Sequence, residues 1–286
     1  MRLEHMLAAE TTELSDRGFA RLAAYITDEL GIKMPASKRG MIRSRLLRRV
    51  RDLGLASVEE YAKYLFGANG DQEYQYFINA ITTNTTEFFR EPEHFQYLTE
   101  IALPSLHLDC AYLMPCVRVW SAACSTGEEP YTLAMVLEEY AAEHTGFNYA
   151  VLGTDVSTRV LAKARRAIYP EEQIGPVALR LRRKYLLRSR GERGALVRMV
   201  PALRQRVSFH HLNFVAENYQ IQERFEIIFL RNVLIYFDKA TQEAVVNKVC
   251  RYLQPGGYLF VGHSESLSEL NVPVKRMHAS IYRKPE

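Results

Sequence analysis

Apolar strand-like runs alternate with helical segments through the second half of this 286-residue chain. Residues 117–123, 149–154 and 225–230 have the short, apolar character of buried strands, and each is followed by a helical pattern. Such an alternation indicates an α/β fold, in which a parallel sheet has helices on both faces. Sheets of this kind bind ligands at the carboxyl ends of the strands, where the strand order reverses. The residues after each strand are therefore the first candidates for a functional site.

The N-terminal part of the chain has a different pattern, because its apolar residues recur at helical spacing only. Helices are predicted over 18–30, 37–53 and 57–66, and a fourth helix is predicted to end at Ile81. The chain is thus expected to begin with an all-helical domain and to continue as an α/β domain.

The change in pattern also gives the expected boundaries. We predict a helical domain over 1–80, a linker over 81–98 and the α/β domain over 99–286. Residues 178–206 interrupt the alternation and contain a short strand-like run, 196–200, between turn residues. This segment is predicted to be a small antiparallel insert.

Basic residues are concentrated in two stretches, although the formal net charge is only +4. Residues 33–51 carry eight Lys and Arg and no acid, and residues 177–206 carry ten against the single acid Glu192. Such patches favour anionic partners, here an acidic helical one, with a solvated surface as the alternative. Nucleic-acid binding is disfavoured because few aromatic residues interleave with the arginines. The candidate docking residues are Lys38, Arg39, Arg43, Arg45, Arg48 and Arg49.

Several classes of protein are disfavoured by what the sequence lacks. It has no run of about 18 apolar residues, so no membrane insertion is expected, and its first residues do not resemble a signal peptide. The four cysteines, Cys110 among them, form no CxxC pair and are predicted to be free thiols of a cytoplasmic protein. No metal site is predicted, because His210, His211 and His263 lack a third ligand at a usual spacing. The absence of a long apolar seam favours a monomer.

The segment Cys124–Pro130 follows the first strand and is the most informative strand end. Its glycine and proline indicate a tight turn into a helix that begins at the proline, with Ser125–Glu128 or Thr126–Glu129 as a capping box. The turn lacks the GxGxxG pattern of dinucleotide sites and places two carboxylates where a pyrophosphate would bind. Carboxylates repel phosphate, so a ligand with an ammonium or sulfonium charge is favoured over NAD. A helix cap without a ligand is the alternative.

Polar residues also end the other strands. Asp155 and Asn213 follow the second and third strands, and the aspartate either binds ribose hydroxyls or only caps the next helix. Arg231 and Asn232 follow the fourth strand, where polar side chains must be paired or line a cleft. The threonine-rich stretch 82–90 is either a lid over the site or a plain linker.

Four long stretches match one known family in order and spacing. They are Ile81–Arg90 (ITTNTTEFFR), Trp120–Tyr131 (WSAACSTGEEPY), Arg231–Asp238 (RNVLIYFD) and Gly262–Glu265 (GHSE). Through them, essentially the whole chain resembles the chemotaxis receptor methyltransferases of the CheR type. The resemblance implies a Rossmann-like class I methyltransferase with an all-helical N-terminal domain and a small inserted antiparallel β-subdomain. It also implies that S-adenosylmethionine (SAM) is used, that S-adenosylhomocysteine (SAH) is released, and that glutamate side chains of chemoreceptors are methylated.

The resemblance further implies roles for matching residues. The helical domain would dock on the cytoplasmic signalling domain of membrane chemoreceptors, and the linker would contribute to the active site. Position 214 carries Phe where the family more usually has Leu, so an apolar and backbone contact is expected there. The implied catalytic residues are Arg90, Arg231 and Tyr236. The implied cofactor-binding residues are Asn84, Thr86, Arg90, Glu128, Glu129, Asp155, Asn213, Phe214, Asn232 and Val233.

Two other functions stay open: a SAM- or SAH-binding adaptor without catalysis, and a methyltransferase that acts on RNA or a small molecule. The set of Arg90, Arg231 and Tyr236 favours an enzyme, since an inert binder does not need it. A substrate glutamate with a pKa of about 4.3 is already ionised at neutral pH, so no general base is expected. Two tightly paired arginines would weaken this nucleophile, so at least one arginine is expected mainly to position groups. Binding of a receptor C-terminal peptide by the insert, as in some family members, is left open.

Overall fold

The computed structural model describes two compact units. The helical unit comprises residues up to 83 together with Tyr236–Asp238, and the sheet unit comprises residues 84–235 and 239–286. The predictions for Cys110, and for Glu192 with its flanking arginines Arg190 and Arg193, lie outside the described residues, as do those for the first residues of the chain. The described residues are 14–68, 70–109, 116–189 and 195–286.

The helical unit has the all-helical character that the apolar spacing predicts. Ser15 Oγ accepts the Gly18 N–H at the start of the first helix, and Ser57 caps the third helix in the same way. The chain segment around Phe237 joins this unit through an antiparallel bridge to Ile32. Leu46 and Phe77 are fully buried in the core of the unit. The α-helices of its described part are α1 (Asp16–Leu30), α2 (Arg39–Asp52), α3 (Val58–Leu65) and α4 (Gly70–Ile81).

The sheet unit contains every described strand. Buried apolar runs such as Phe225–Leu230 form its central strands, because a parallel strand that is covered on both faces has no solvent-facing side. The strands are β1 (Val117–Ala122), β2 (Tyr149–Asp155), β3 (Ile168–Pro170), β4 (Leu186–Arg188), β5 (Leu196–Met199), β6 (Val207–His211), β7 (Phe225–Leu230), β8 (Leu253–Val261), β9 (Lys275–His278) and β10 (Ile281–Arg283).

Seven strands form one mixed sheet in the order β6-β2-β1-β7-β8-β10-β9. The first five of these run parallel, and β10 and β9 add antiparallel strands at one edge. The chain places β2 and β6 on one side of β1 and then β7 and β8 on the other, so the order reverses between β1 and β7. The predicted α/β fold is confirmed, and the reversal puts the ends of β1 and β7 side by side.

In the described part of the sheet unit, two α-helices precede β1 and each of the other five comes after a strand. A π-helical turn at Leu98–Ala102 joins the first two helices, and Leu234–Tyr236 forms a short 3-10 turn after β7. The rings of Phe229 and Phe260 stack at 4.4 Å in the core. The α-helices are α5 (Glu93–Tyr97), α6 (Leu103–Asp109), α7 (Glu128–Glu143), α8 (Thr158–Arg166), α9 (Leu179–Tyr185), α10 (Pro201–Arg206) and α11 (Lys239–Cys250).

A separate three-stranded antiparallel sheet, in the order β3-β5-β4, forms the insert. Strand β3 begins at Ile168, before the predicted insert, and is too short to give a periodic pattern. The Tyr169 hydroxyl donates to the Thr126 carbonyl at 3.0 Å, and its ring lies 5.0 Å from that of Phe88. The insert is therefore attached directly to the loop that follows β1.

Two predicted boundaries are wrong. Helix α7 begins at Glu128 and not at Pro130, since proline fits any position of a first turn. Proline and two glycines at 255–257 predict a turn that leads into a strand beginning at Tyr258. These residues instead lie inside β8, where the pairing with β7 shifts register and Gly256 has a φ of 74°. Among the described helices, none is both long and apolar enough to span a bilayer.

Candidate functional site

A loop of strained backbone connects β1 to α7. Ala123 and Ser125 have φ angles of 65° and 50°, and Gly127 has a φ of 98°. Left-handed backbone costs a non-glycine residue about 1–2 kcal/mol, and such strain clusters at functional sites. A Cβ at Gly127 would lie 2.9 Å from the Cβ of Ala164, so glycine alone fits this position. This loop, 123–127, is called the β1 loop below.

The predicted capping boxes are wrong. Gly127 occupies the N-cap position of α7, and no side chain caps the helix. Ser125 Oγ donates to the carbonyl of Asn84 at 2.9 Å, and Thr126 Oγ1 donates to a carboxylate oxygen of Glu128 at 2.6 Å. The left-handed turn at Gly127 thus replaces the expected cap and leaves both hydroxyls to bind other groups.

Asp155 ties the end of β2 to the β1 loop. This residue is only 8% exposed, and its carboxylate accepts the N–H groups of Ser125 and Ser157, each at 2.9 Å. Burial raises the pKa of Asp155, while the hydrogen bonds from backbone amides oppose the rise. The Leu212 N–H donates to the Asp155 carbonyl at 3.0 Å, which brings Asn213 to the same edge of the sheet. Binding of ribose by Asp155 stays a prediction.

Two glutamates begin helix α7: Glu128 is buried, and the side chain of Glu129 is 14% exposed. Ser121 Oγ donates to Glu129 Oε1 at 2.7 Å, while Glu128 accepts from the Thr126 hydroxyl. Burial raises the pKa of both carboxyl groups. The partial positive charge of the helix N-terminus favours carboxylates at these positions. The structure thus places two acids at the end of β1, where the sequence puts them.

Arg231 follows β7, and its side chain is only 1% exposed. Its Nη2 lies 3.3 Å from Glu91 Oε2, and its Nε lies 3.5 Å from Glu129 Oε2. The Nη2 group also donates to the carbonyl of Arg90. Among the described residues, none accepts a hydrogen bond from Nε or Nη1. A buried donor in this state needs a ligand oxygen or a water molecule as its partner.

Glu91 is a site residue that the sequence analysis missed. Its Oε1 accepts from Asn232 Nδ2 at 3.2 Å and from the His263 N–H at 3.3 Å, so it links three chain segments. Burial disfavours the ionised carboxylate, but Arg231 and these hydrogen bonds outweigh burial and lower the pKa of Glu91. The sequence did contain a hint of this role. A buried arginine requires a carboxylate partner, and Glu91 is the acid that directly follows the family-matched residue Arg90.

Glu91, His94 and His263 offer three possible metal ligands whose atoms lie within 4.8 Å of one another. His94 is buried, its Nε2 lies 2.7 Å from Ser280 Oγ, and burial lowers its pKa to about 3. The guanidinium of Arg231 already lies beside Glu91, and its charge would repel a metal ion. We interpret the cluster as the surroundings of an ion pair, and the absence of a metal site stays a prediction.

The linker contributes Asn84, Thr86 and Arg90 to the sheet unit. The Asn84 carbonyl is bound to the β1 loop through Ser125, and Thr86 is partly exposed. Arg90 is also partly exposed, and its Nη1 donates to the Thr85 carbonyl at 3.3 Å. The guanidinium of Arg90 is therefore more accessible to a substrate than that of Arg231.

The remaining predicted cofactor residues lie at the ends of β6 and β7. Asn213 Oδ1 accepts the Val215 N–H at 3.2 Å, and the buried ring of Phe214 lies 6.3 Å from that of Tyr219. Asn232 has a left-handed φ of 57° and is partly exposed, as is Val233. Cofactor contacts of these four residues stay predictions.

Tyr236, the third predicted catalytic residue, belongs to the helical unit. Its carbonyl accepts the Lys33 N–H at 2.9 Å, and the ammonium of Lys38 lies 5.9 Å from the centre of its ring. The structure thus brings Tyr236 together with Lys38, which was predicted to dock the receptor. It brings Arg90 and Arg231 together in the sheet unit.

Two predicted docking residues instead hold the helical unit together. Arg49 forms a bidentate ion pair with Glu73, at 2.7 Å for both bonds, and Glu73 is only 2% exposed. Arg45 donates to the Ile81 carbonyl and, at 2.8 Å, to Thr83 Oγ1. Both residues lie beside the buried apolar stripe of α2, which is formed by Ile42, Leu46 and Val50. Their guanidinium groups therefore bind partners within the helical unit.

The other docking candidates are closer to solvent. Arg39 pairs with the exposed Asp16, and Lys38 and Arg43 are partly exposed. Arg48 is exposed and forms no ion pair with any described residue. Arg48 is therefore the clearest candidate for an unneutralised docking charge on α2.

The ends of β1, β2 and β7 together form a region rich in acids. Its carboxylates are Glu91, Glu128, Glu129 and Asp155, against the guanidinium groups of Arg90 and Arg231. Such a balance suits a ligand that carries positive charge beside a carboxylate. A separate cavity of about 260 Å³ is lined by Leu234, Ile235, Gln242, Ser264 and Glu265 with neighbouring residues, and no predicted site residue lines it.

Comparisons with known proteins cover nearly the whole chain. Residues 17–82 match the family described as the all-alpha domain of the CheR methyltransferases, and residues 84–283 match their SAM-binding domain. A chemotaxis protein methyltransferase of Klebsiella aerogenes is 40% identical over 265 residues, which cover 92% of this chain and 88% of that protein. One from Escherichia coli is 40% identical and covers 91% and 88%. One from Pseudomonas aeruginosa is 37% identical and covers 88% and 87%.

Proposed function

The chain belongs to the CheR methyltransferase family, and on this premise we propose that it methylates glutamate side chains of chemoreceptors with SAM. The product would be a glutamyl methyl ester, with SAH as the second product. The observation that carries the proposal is the guanidinium of Arg231, buried between Glu91 and Glu129 where the strand order reverses. The match to the CheR family, together with the ion pairs of Arg231 with Glu91 and Glu129, favours an enzyme over a protein that only binds the cofactor.

The residues at the strand ends fit SAM. Glu128, which is buried, and Glu129, whose side chain is 14% exposed, begin α7. Their carboxylates suit the positive groups of SAM and disfavour a phosphate at the same place. The Nη1 group of Arg231, which lacks a partner among the described residues, is available to a carboxylate oxygen. Asn84, Thr86, Asp155, Asn213, Phe214, Asn232 and Val233 complete the proposed pocket.

When bound, SAM supplies an electrophilic methyl group for direct displacement by a carboxylate oxygen. The residues of the chain need only align the substrate glutamate and exclude water, which can supply a large part of the rate enhancement. No proton is transferred, because the nucleophile is already ionised. The reaction rate is accordingly proposed to stay flat above about pH 6, where a free glutamate is ionised.

The two arginines are proposed to have different roles. Arg231 is held by Glu91 and Glu129, so much of its charge is already neutralised and it mainly positions groups. Arg90 is partly exposed and is the better candidate to orient the substrate carboxylate. The Tyr236 hydroxyl is proposed to hold the second carboxylate oxygen. This division agrees with the expectation that one arginine must not bind the nucleophile too tightly.

The substrate is proposed to be the cytoplasmic signalling domain of a membrane chemoreceptor. The exposed charge of Arg48 and the partly exposed charges of Lys38, Arg39 and Arg43 would attract the acidic surface around the modified glutamates. A receptor of this kind places its substrate glutamates in the cytoplasm, so we propose that the enzyme acts there and does so as a monomer.

A labelled methyl group tests this function directly. The protein is incubated with methyl-labelled SAM and a chemoreceptor signalling domain, and the product is treated with alkali. Volatile labelled methanol is expected, because carboxyl methyl esters are hydrolysed by base. Tight SAH binding without transfer to any receptor domain would favour the adaptor alternative. Base-stable label would favour an N-methyltransferase with a different substrate. A variant with Arg90→Ala serves as the matched negative control.

A further inference from the structure

A single buried carboxylate organises the loop that follows β7. Glu265 Oε2 accepts the N–H groups of Asn232 at 2.8 Å and Gly262 at 2.7 Å. Its Oε1 accepts those of Leu234 at 2.7 Å and Ile235 at 3.3 Å. Glu265 therefore receives four backbone hydrogen bonds, three of them from residues 231–235, which we call the post-β7 loop.

The geometry leaves little freedom around this carboxylate. Asn232 has a φ of 57°, in the left-handed region that asparagine adopts more readily than most other residues. A Cβ at Gly262 would lie 2.5 Å from Asn232 Nδ2 and 2.9 Å from Glu265 Oε2. The end of β8 thus approaches the post-β7 loop at a distance that only glycine allows.

Glu265 cannot take part in the chemistry itself. A carboxylate has about four lone-pair sites, and four backbone amides already occupy them. The residue is only 6% exposed, so bulk water has little access to these bonds. Its influence on a reaction can act only through the position of the loop that it holds.

We propose that Glu265 is a positioning residue, which fixes the post-β7 loop so that Asn232 and Val233 face the cofactor. The inference rests on the proposed function, since it assumes that these loop residues serve methyl transfer. Glu91 supports the same loop from its other side, because it accepts from the Asn232 side chain. The two glutamates hold the backbone and the side chain of Asn232 respectively.

The test replaces the carboxylate by its amide. In Glu265→Gln, an NH2 group faces backbone N–H donors, so at least two of the four hydrogen bonds are lost. A displacement of about 1 Å near a reacting centre can cost about 100-fold in rate, so we expect kcat to fall by about that factor. The KM for the receptor domain should change little, because the docking charges lie on α2. Hydrogen exchange should accelerate at the amides of Asn232, Leu234 and Ile235 while those of β7 stay protected.

Glu226→Gln is the matched control. Glu226 lies near the start of β7, where its carboxylate accepts the Arg118 N–H at 2.7 Å, far along the strand from the post-β7 loop. This variant also removes a carboxylate that accepts a backbone amide, but it should keep wild-type kcat and wild-type exchange in the post-β7 loop. If Glu265→Gln does not fold, Glu265→Asp, which keeps the charge but has a shorter reach, is measured in the same way.

Unchanged kcat in the folded Glu265 variant would overturn the proposal, whether or not the loop amides exchange faster. Wild-type protection of the loop amides would also overturn it. Failure of the wild-type protein to methylate any receptor domain contradicts the proposed function instead. In that case, weaker SAH binding by Glu265→Gln than by Glu226→Gln still supports the positioning role, and equal binding overturns it.

Discussion

The Nε of Arg231 lies 3.5 Å from Oε2 of Glu129, so the end of strand β7 is tied to the first turn of helix α7. The Arg231 side chain is buried, and that of Glu129 is 14% exposed. Strand β7 ends and helix α7 begins beside the point where the strand order reverses. The pair therefore joins the two strand ends between which a ligand is expected in a sheet of this kind. Removal of Arg231 would leave the carboxylate of Glu129 without its arginine partner.

We expect Arg231→Ala to destabilise the protein and to lower turnover more than cofactor affinity. Loss of the buried guanidinium leaves the carboxylates of Glu91 and Glu129, which are only 12% and 14% exposed, without their partner, and breaking such a pair costs about 3–5 kcal/mol in comparable cases. Urea unfolding measures this loss, and calorimetric titration with SAH measures the affinity. Arg180→Ala removes an arginine that is 71% exposed and should cost at most about 1 kcal/mol. Equal stability of both variants, or unchanged turnover of Arg231→Ala, would contradict this role.

Replacement of the adjacent arginines Arg48 and Arg49 on helix α2 should affect different properties of the protein. Arg49→Ala leaves the buried Glu73 unpaired and should lower the free energy of unfolding by about 3–5 kcal/mol. Arg48→Ala should change it by no more than about 0.5 kcal/mol, because the side chain is exposed. We expect Arg48→Ala instead to raise the KM for the receptor domain, with a larger effect at low salt. An unchanged KM at low salt would remove Arg48 from the docking surface.

Gly127→Ala should be more disruptive than Gly54→Ala. Both glycines have positive φ angles, 98° and 68°, so alanine costs about 1–2 kcal/mol at either position. At Gly54 the added Cβ meets open space, whereas at Gly127 it lies 2.9 Å from Ala164 Cβ and from the Tyr169 hydroxyl. Thermal unfolding should show the larger loss for Gly127→Ala, together with weaker SAH binding. Equal losses and normal binding would show that the β1 loop adapts to the added methyl group.

Acid should destabilise the protein partly through His94. Burial lowers the pKa of His94 from 6.5 to about 3 in the folded state, so between these values only the unfolded state binds the proton. The contribution of neutral His94 is therefore fully present above about pH 6.5 and is lost as the pH falls, by about 2 kcal/mol at about pH 5. His94→Gln removes this titration. The free energy of unfolding is measured for both proteins near pH 7.5 and near pH 5. Its decrease between the two pH values should be about 2 kcal/mol larger in the wild type than in His94→Gln. The same fall in both proteins would assign the acid sensitivity to other groups.

Much of the site was predictable because its residues lie at strand ends. The buried runs before Asp155 and Arg231 and the two acids at the start of α7 point to one edge of the sheet. The pairing partners were not predictable in the same way. Glu91 and Glu265 bind Asn232 from segments that are far apart in the chain. The pattern of residues within one segment does not indicate which acid will bind the residues at a given strand end.

In helix α2, the spacing of the apolar residues predicts which arginines are exposed better than the charge of the segment does. Ile42, Leu46 and Val50 form the buried stripe of α2, and Arg49 lies three residues after Leu46 on the same side. Its partial burial therefore follows from helical spacing, while Arg48 lies on the exposed side. The missed strands β9 and β10 are three or four residues long, and such short elements take their structure from sheet pairing rather than from sequence pattern.

The central claim is that this chain esterifies glutamate side chains of a chemoreceptor. Its most direct test is tandem mass spectrometry of the receptor signalling domain after incubation with the enzyme and SAM, with fragmentation that locates each added methyl group. The account predicts added methyl groups on glutamate side chains, which disappear after mild alkali and are absent when SAM is omitted. Methyl groups found on lysine, arginine or backbone nitrogen, and retained after alkali, would contradict it.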